Sequence, residues 1–145
     1  MPRCYLLSLC SGSSLDQGSN NVTLFNLIEQ INLQPNAKPP PNGAIPAEMH
    51  AYWELEPQEQ NQDYQMRFVL IALESGLESP TDPVQHRINT PRFRTRALGL
   101  PFPPVVGHYE LRVEWRIEGQ DWQRDVARWP LIVAQAQPRP ATTVH

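Results

Sequence analysis

The stretch Val105 to Gln123, VVGHYELRVEWRIEGQDWQ, constrains this chain more than any other. Tyr109, Leu111, Val113, Trp115 and Ile117 alternate with Glu110, Arg112, Glu114, Arg116 and Glu118. A period of two places the first set on one face of a β-strand and the second on the other. One face is therefore buried and one solvated, the pattern of an antiparallel sheet packed on a core. The preceding PFPPVVGHY is a Pro-rich turn with Gly107 just before Tyr109. That arrangement resembles a tyrosine corner, in which the ring packs inward and its hydroxyl bonds upstream backbone.

Six further segments read as extended: Arg3 to Ser11, Val22 to Leu33, Met49 to Pro57, Tyr64 to Leu73, His86 to Leu98, and Trp122 to Gln135. The second is ambiguous, because Leu24, Leu27, Ile28 and Ile31 also fit helical spacing; strand is the preferred reading. In the fourth, Val69, Ile71 and Leu73 make the second face apolar too, which predicts a central strand covered on both sides over that half. The fifth is interrupted by Pro91, which has no N–H to donate and predicts an edge or a bulge. Short strands separated by turn signals, with no amphipathic helix, predict an all-β, single-domain antiparallel β-sandwich of about seven strands, immunoglobulin-like with Greek-key connections. The sandwich is expected to span residues 1–136, with 137–145 a flexible C-terminal tail lacking apolar content. Five prolines between Gln34 and Glu48 predict an extended loop with polyproline II character.

Register arithmetic sharpens the last hairpin. A two-residue turn at Gly119-Gln120 would pair Ile117 with Trp122, Trp115 with Arg124 and Val113 with Val126. Trp122 and Val126 would then face inward, Arg124 would lie along Trp115, and a break between Ala127 and Pro130 would be needed to turn Trp129, Leu131 and Val133 inward.

Composition excludes several functions. At 145 residues the chain buries enough surface to fold without a metal or disulfide. A net charge of −3 offers no general attraction to nucleic acid or anionic lipid, and no membrane span is expected. Basic residues are nearly all arginine, with Lys38 the single lysine. Cys4 and Cys10 lie roughly 20 Å apart along a strand. That is too far for a disulfide, and equal parity puts both on one side. Buried, reduced thiols imply a reducing compartment. An export signal fits poorly, since Leu9 stands where lipoprotein cleavage requires a small residue; a cytoplasmic protein is expected.

Two regions resemble a bacterial family catalogued only as a domain of unknown function. One is NNVTLFNLIEQI, Asn20 to Ile31; the other is RFRTRALGLPFPPVVGHYELRVEW, Arg92 to Trp115, followed by DVARWPLIV. The family's pattern departs here at Gly107-His108 and in the long Pro loop. The resemblance implies a cytoplasmic β-sandwich without known catalysis, and it supplies no catalytic residues.

The motifs of nucleophilic hydrolysis, phosphate cradling and dinucleotide binding are missing from the sequence. His50, His86, His108 and His145 have no short mutual spacing of the kind a metal site uses. The expectation is no enzyme, no cofactor and no metal. Arg92, Arg94 and Arg96 share parity and form a ladder, either a binding surface or cross-strand partners of Glu110, Glu114 and Glu118. The reading is a non-catalytic protein-interaction or assembly module, with homo-oligomerisation through an edge strand as one form. The alternative is a small-ligand or carbohydrate-binding sandwich that uses Tyr52 and Trp129 as an aromatic platform.

Overall fold

A computed structural model describes residues 1–34, 38–39 and 43–136. The expected flexible tail and six of the fifteen residues of the expected Pro-rich loop, 35–37 and 40–42, lie outside the described residues; the last five, Ala44 to Glu48, belong to a strand instead of the loop. Ten strands and no α-helix are present among them: β1 (Arg3–Asp16), β2 (Asn21–Leu27), β3 (Gln30–Leu33), β4 (Ala44–Glu54), β5 (Gln62–Ala72), β6 (Glu78–Pro80), β7 (Val84–Ile88), β8 (Arg92–Pro101), β9 (Gly107–Ile117) and β10 (Gln123–Gln135). One sheet has the order β2-β1-β4-β8; the other has β3-β10-β9-β5-β6, with β7 also on β5. Their facing sides share one core, in which Leu7, Leu9, Met49 and Trp53 meet Tyr64, Phe68, Leu111 and Leu131.

The count is ten rather than about seven, and each extra strand has a physical cause. The segment Val22–Leu33 leaves one sheet and enters the other at Ile28. The Ile28 N–H donates to Leu9 O, and the Ile28 carbonyl accepts from Trp129 Nε1. β3 then pairs with β10 in parallel, so the fold is not wholly antiparallel. This crossing disturbs the period of two, which is why the segment also matched helical spacing. Pro91 marks a second crossing: β7 pairs with β5, whereas β8 pairs with β4 in the opposite sheet. β6 is a short strand on β5.

β9 behaves as its alternation requires. It is hydrogen-bonded on both sides, to β5 and β10, with Tyr109, Leu111, Val113 and Trp115 buried. Tyr109 closes the corner: its hydroxyl donates to Val105 O at 2.5 Å and accepts from Val105 N at 3.2 Å. On the opposite face, Glu114 is held by Arg67 and Arg124, and Glu110 by Arg112 and Arg128. Trp122 lies on this same outer face, with the Arg67 and Arg116 guanidiniums 4.1 and 4.3 Å from its ring centre.

The last hairpin therefore differs from the register arithmetic. Gln120 N–H bonds Ile117 O and Gly119 has φ of +84°, so the turn is centred on Glu118-Gly119. Moving a two-residue turn by one position would keep the parity; Trp115 opposes Gln123 and Glu114 opposes Arg124, so an odd number of residues separates the partners and the connection holds one residue more than a two-residue turn. Arg124 is on the outer face, not along Trp115, and Val126 is 83% exposed. The irregularity falls between Arg124 and Arg128, not at Ala127–Pro130, and Trp129 to Val133 pair without interruption. Asp125 fixes its place by accepting from Ala127 N–H at 2.8 Å and from Cys4 N–H at 2.9 Å, which ties the two sheets together.

Candidate functional site

The side of the β2-β1-β4-β8 sheet away from the core is concave. β1 and β2 form a long hairpin whose end rolls back over the sheet. Arg94 Nη2 on β8 donates to Asn20 O in the hairpin turn at 2.6 Å, and Arg96 Nη1 reaches Ser13 Oγ at 3.5 Å. β4 lies between β1 and β8, so strands about 4.8 Å apart bring these groups together only if the sheet curls.

Two clefts open on this face. One of about 640 Å³ is lined by Tyr5, Asn20, Val22, Tyr52, Arg92 and Arg94. The other, of about 210 Å³, is lined by Ser13, Leu15, Val22, His50, Tyr52 and Arg96.

The arginine ladder is here, on β8, whose one ladder neighbour among the described residues is β4. Arg92, Arg94 and Arg96 stand exposed opposite Glu54, Tyr52 and His50. They do not pair with the glutamates of β9, because β8 and β9 belong to different sheets. Among the described residues only Arg96 has a carboxylate nearby, with Glu48 Oε1 at 3.7 Å; Glu54 binds Arg3 instead. Arg94 sits 5.9 Å from the Tyr52 ring centre.

The two aromatic candidates are not brought together. Trp129 lies on β10 in the other sheet, packed against the core with its indole N–H bonded to Ile28 O. Tyr52 has Tyr5 as its neighbour, ring centres 6.1 Å apart and planes at 76°. Edge-on rings do not make a flat stacking platform.

Beneath the ladder is a cluster that single-residue spacing concealed. The ligand-type atoms of Cys10, Glu48 and His50 all lie within 4.8 Å of one another. Their strands explain it: Cys10 opposes Glu48 and Ser8 opposes His50, so the four residues form a two-by-two patch. Equal parity had placed Cys4 and Cys10 on one side. A bulge at Tyr5 overturns this: Cys4 pairs with Trp53 and faces the core, while Cys10 turns to the concave face. Both cysteines are free and buried. The sequence carried one signal, Glu48 and His50 spaced for one strand face, but spacing between histidines alone does not reveal it.

Glu48 Oε1 accepts from Ser13 Oγ at 2.6 Å and lies 3.0 Å from His50 Nε2. These hydrogen bonds, Ser13 foremost, hold its carboxyl below the usual range despite partial burial. Burial pushes the Cys10 thiol up, and its residue exposure is 0%. A protonated, inaccessible thiol is a poor nucleophile. The His50 nitrogen that faces Glu48 is already engaged. The arrangement suits ligation better than acyl transfer.

Cys4 is pushed up to about 11 by burial and by the nearby Asp125 carboxylate. No helix among the described residues is long and apolar enough to cross a membrane. No protein-family model matches the chain, and no curated protein matches it.

Proposed function

We propose that this chain is a non-catalytic interaction module that docks an acidic segment of another protein on the concave face of β2-β1-β4-β8. The observation that carries the reading is the ladder Arg92, Arg94 and Arg96, exposed on an edge strand and largely without carboxylate partners among the described residues. Guanidiniums at about 6.6–7 Å intervals match alternate carboxylates of an extended peptide, which Arg binds bidentately. Tyr5 and Tyr52 border the arginines and supply apolar contact area. Carbohydrate stacking is the weaker reading, because Tyr52 and Trp129 are on separate sheets and Tyr5 meets Tyr52 edge-on.

The fold reading that accompanies it is an immunoglobulin-like Greek-key sandwich in a reducing, cytoplasmic setting. The Tyr109 corner, the buried Trp53 and the repeated crossings between sheets support the first part. Two buried free thiols support the second.

The test is affinity capture from the source cell's lysate with wild type and an Arg92→Glu/Arg94→Glu/Arg96→Glu variant, identified by mass spectrometry. Partners with acidic segments should be lost from the variant and released from wild type by raised salt. The same partners on both proteins, insensitive to salt, would exclude the ladder as the docking surface. Glycan binding that is unchanged in the variant would favour the carbohydrate reading.

A further inference from the structure

We propose that Cys10, Glu48 and His50 form a binding site for a divalent transition-metal ion of zinc's class. The three donors are a thiol, a carboxylate and an imidazole, with their ligand atoms within 4.8 Å of one another and His50 Nε2 3.0 Å from Glu48 Oε1. Tetrahedral zinc with N, O and S ligands places donors about 3.3–3.6 Å apart, so the cluster closes on an ion by side-chain shifts of about 1 Å. The frame is rigid, since all three residues lie on paired strands of one sheet.

A second observation points the same way. Ser8 is 1% exposed, and its Oγ has no hydrogen-bond partner among the described residues. A buried hydroxyl left unpaired loses its hydrogen bonds to water without replacement, so it calls for a partner. Ser8 opposes His50 and lies two residues from Cys10 on the same strand face, so its unpaired hydroxyl is on the face where the three donors converge. It is placed to ligate there or to bond a water that does.

The surroundings are those of a metal ligand set. Ser13 Oγ donates to Glu48 at 2.6 Å and fixes the carboxylate, the second-layer hydrogen bond that orients ligands. Thiolate and carboxylate together neutralise a divalent charge in a site that is mostly buried, and Arg96 stays at the rim. The cleft of about 210 Å³ is lined by His50 but not by Cys10 or Glu48, so an ion entering there reaches the imidazole first and the other two donors after side-chain movement. On binding, the Cys10 thiol gives its proton to buffer and its sulfur ligates as thiolate. His50 ligates through neutral Nε2, carrying its proton on Nδ1. A soft sulfur donor with imidazole and carboxylate selects zinc or cobalt over magnesium or calcium.

The experiment uses untagged, reduced, chelator-washed protein titrated with Zn²⁺ and, separately, Co²⁺. One equivalent should bind with proton release, and Co²⁺ should give a thiolate-to-metal charge-transfer absorption in the near ultraviolet. Cys10→Ser should abolish that band, His50→Gln should weaken binding about tenfold or more, and Cys4→Ser should change neither. Zn²⁺ should also slow alkylation of Cys10 more than that of Cys4 in wild type, mapped by tandem mass spectrometry, which needs no variant to fold. No charge-transfer band in wild type would overturn the proposal. A band that survives Cys10→Ser and is lost in Cys4→Ser would overturn it as well. All these readouts come from isolated protein, so they stand or fall apart from the acidic-partner reading.

Discussion

Replacing Asp125 tests how the two sheets are held at one corner. Asp125 is 8% exposed, and it spends both carboxylate oxygens on backbone: Oδ1 accepts from Ala127 N–H at 2.8 Å and Oδ2 from Cys4 N–H at 2.9 Å. The first bond shapes the irregularity between Arg124 and Arg128; the second joins β10 to β1 across 121 residues of sequence. Hydrogen bonds to a charged acceptor contribute roughly 1.5–3 kcal/mol each, and the carboxylate's own desolvation offsets part of that. Asp125→Ala should therefore cost about 2–4 kcal/mol. For a domain of this size that lowers Tm by about 6–12 °C. Asp125→Asn is the sharper variant. It keeps the shape but offers one acceptor oxygen and one donor NH2, so either Cys4 or Ala127 loses its partner. A cost of about 1.5–3 kcal/mol is expected from the same reasoning. Urea denaturation with unchanged slope would measure both. If Asp125→Asn matched wild type within about 0.3 kcal/mol, the carboxylate would be a spacer, and the corner would be held by apolar packing alone.

Two further tests address the tyrosine corner and the core-facing thiol. Tyr109→Phe removes a hydroxyl that bonds both polar groups of Val105, itself exposed and able to recruit water, so a loss of about 1 kcal/mol with the fold intact is expected; an unchanged urea midpoint would show that the corner contributes nothing. Cys4 is pushed up from 9.0 to about 11 by burial, so its contribution to stability is complete below pH 9 and lost as pH rises through 11. That loss amounts to about 2–3 kcal/mol and should be missing in Cys4→Ala; a variant with the same alkaline decline as wild type would place its origin elsewhere.

Local periodicity carried far in some elements. β9 is central, and its hydrogen bonds on both edges leave no freedom to slip, so counting by two along Tyr109 to Ile117 gave the correct face for every residue. β5 is central as well, but its second face is covered only in part: Val69 is buried, Ile71 half-buried and Leu73 exposed. The crossings at Ile28 and Pro91 were legible only as disturbances, a helix-like spacing in one and a proline in the other. Which sheet receives the chain depends on contacts more than 100 residues distant, such as Trp129 Nε1 to Ile28 O. No local pattern encodes such a contact.

The errors in facing share one cause. Period-two counting holds until a strand gains a residue, and a gained residue reverses every face beyond it. At Tyr5 one extra residue separates Cys4 from Cys10, so two thiols of equal parity end on opposite sides of a sheet. In the last hairpin the connection holds one residue more than the two-residue turn expected at Gly119-Gln120, and this moves Arg124 and Trp122 to the outer face. Buried Cys4 and a Cys10 on the concave face coexist only through the first of these irregularities. Only Arg3 and Cys4 pair before the bulge, whereas Leu6 to Cys10 pair with β4 and Cys10 to Asp16 with β2, so the longer part sets the register. Deleting Tyr5 should therefore turn Cys4 out of the core and leave Cys10 beside His50, so a folded deletion variant should keep the cobalt–thiolate band and alkylate Cys4 faster than wild type does. A folded variant that lost the band while Cys4 stayed protected would show that the longer part of β1 gives way instead.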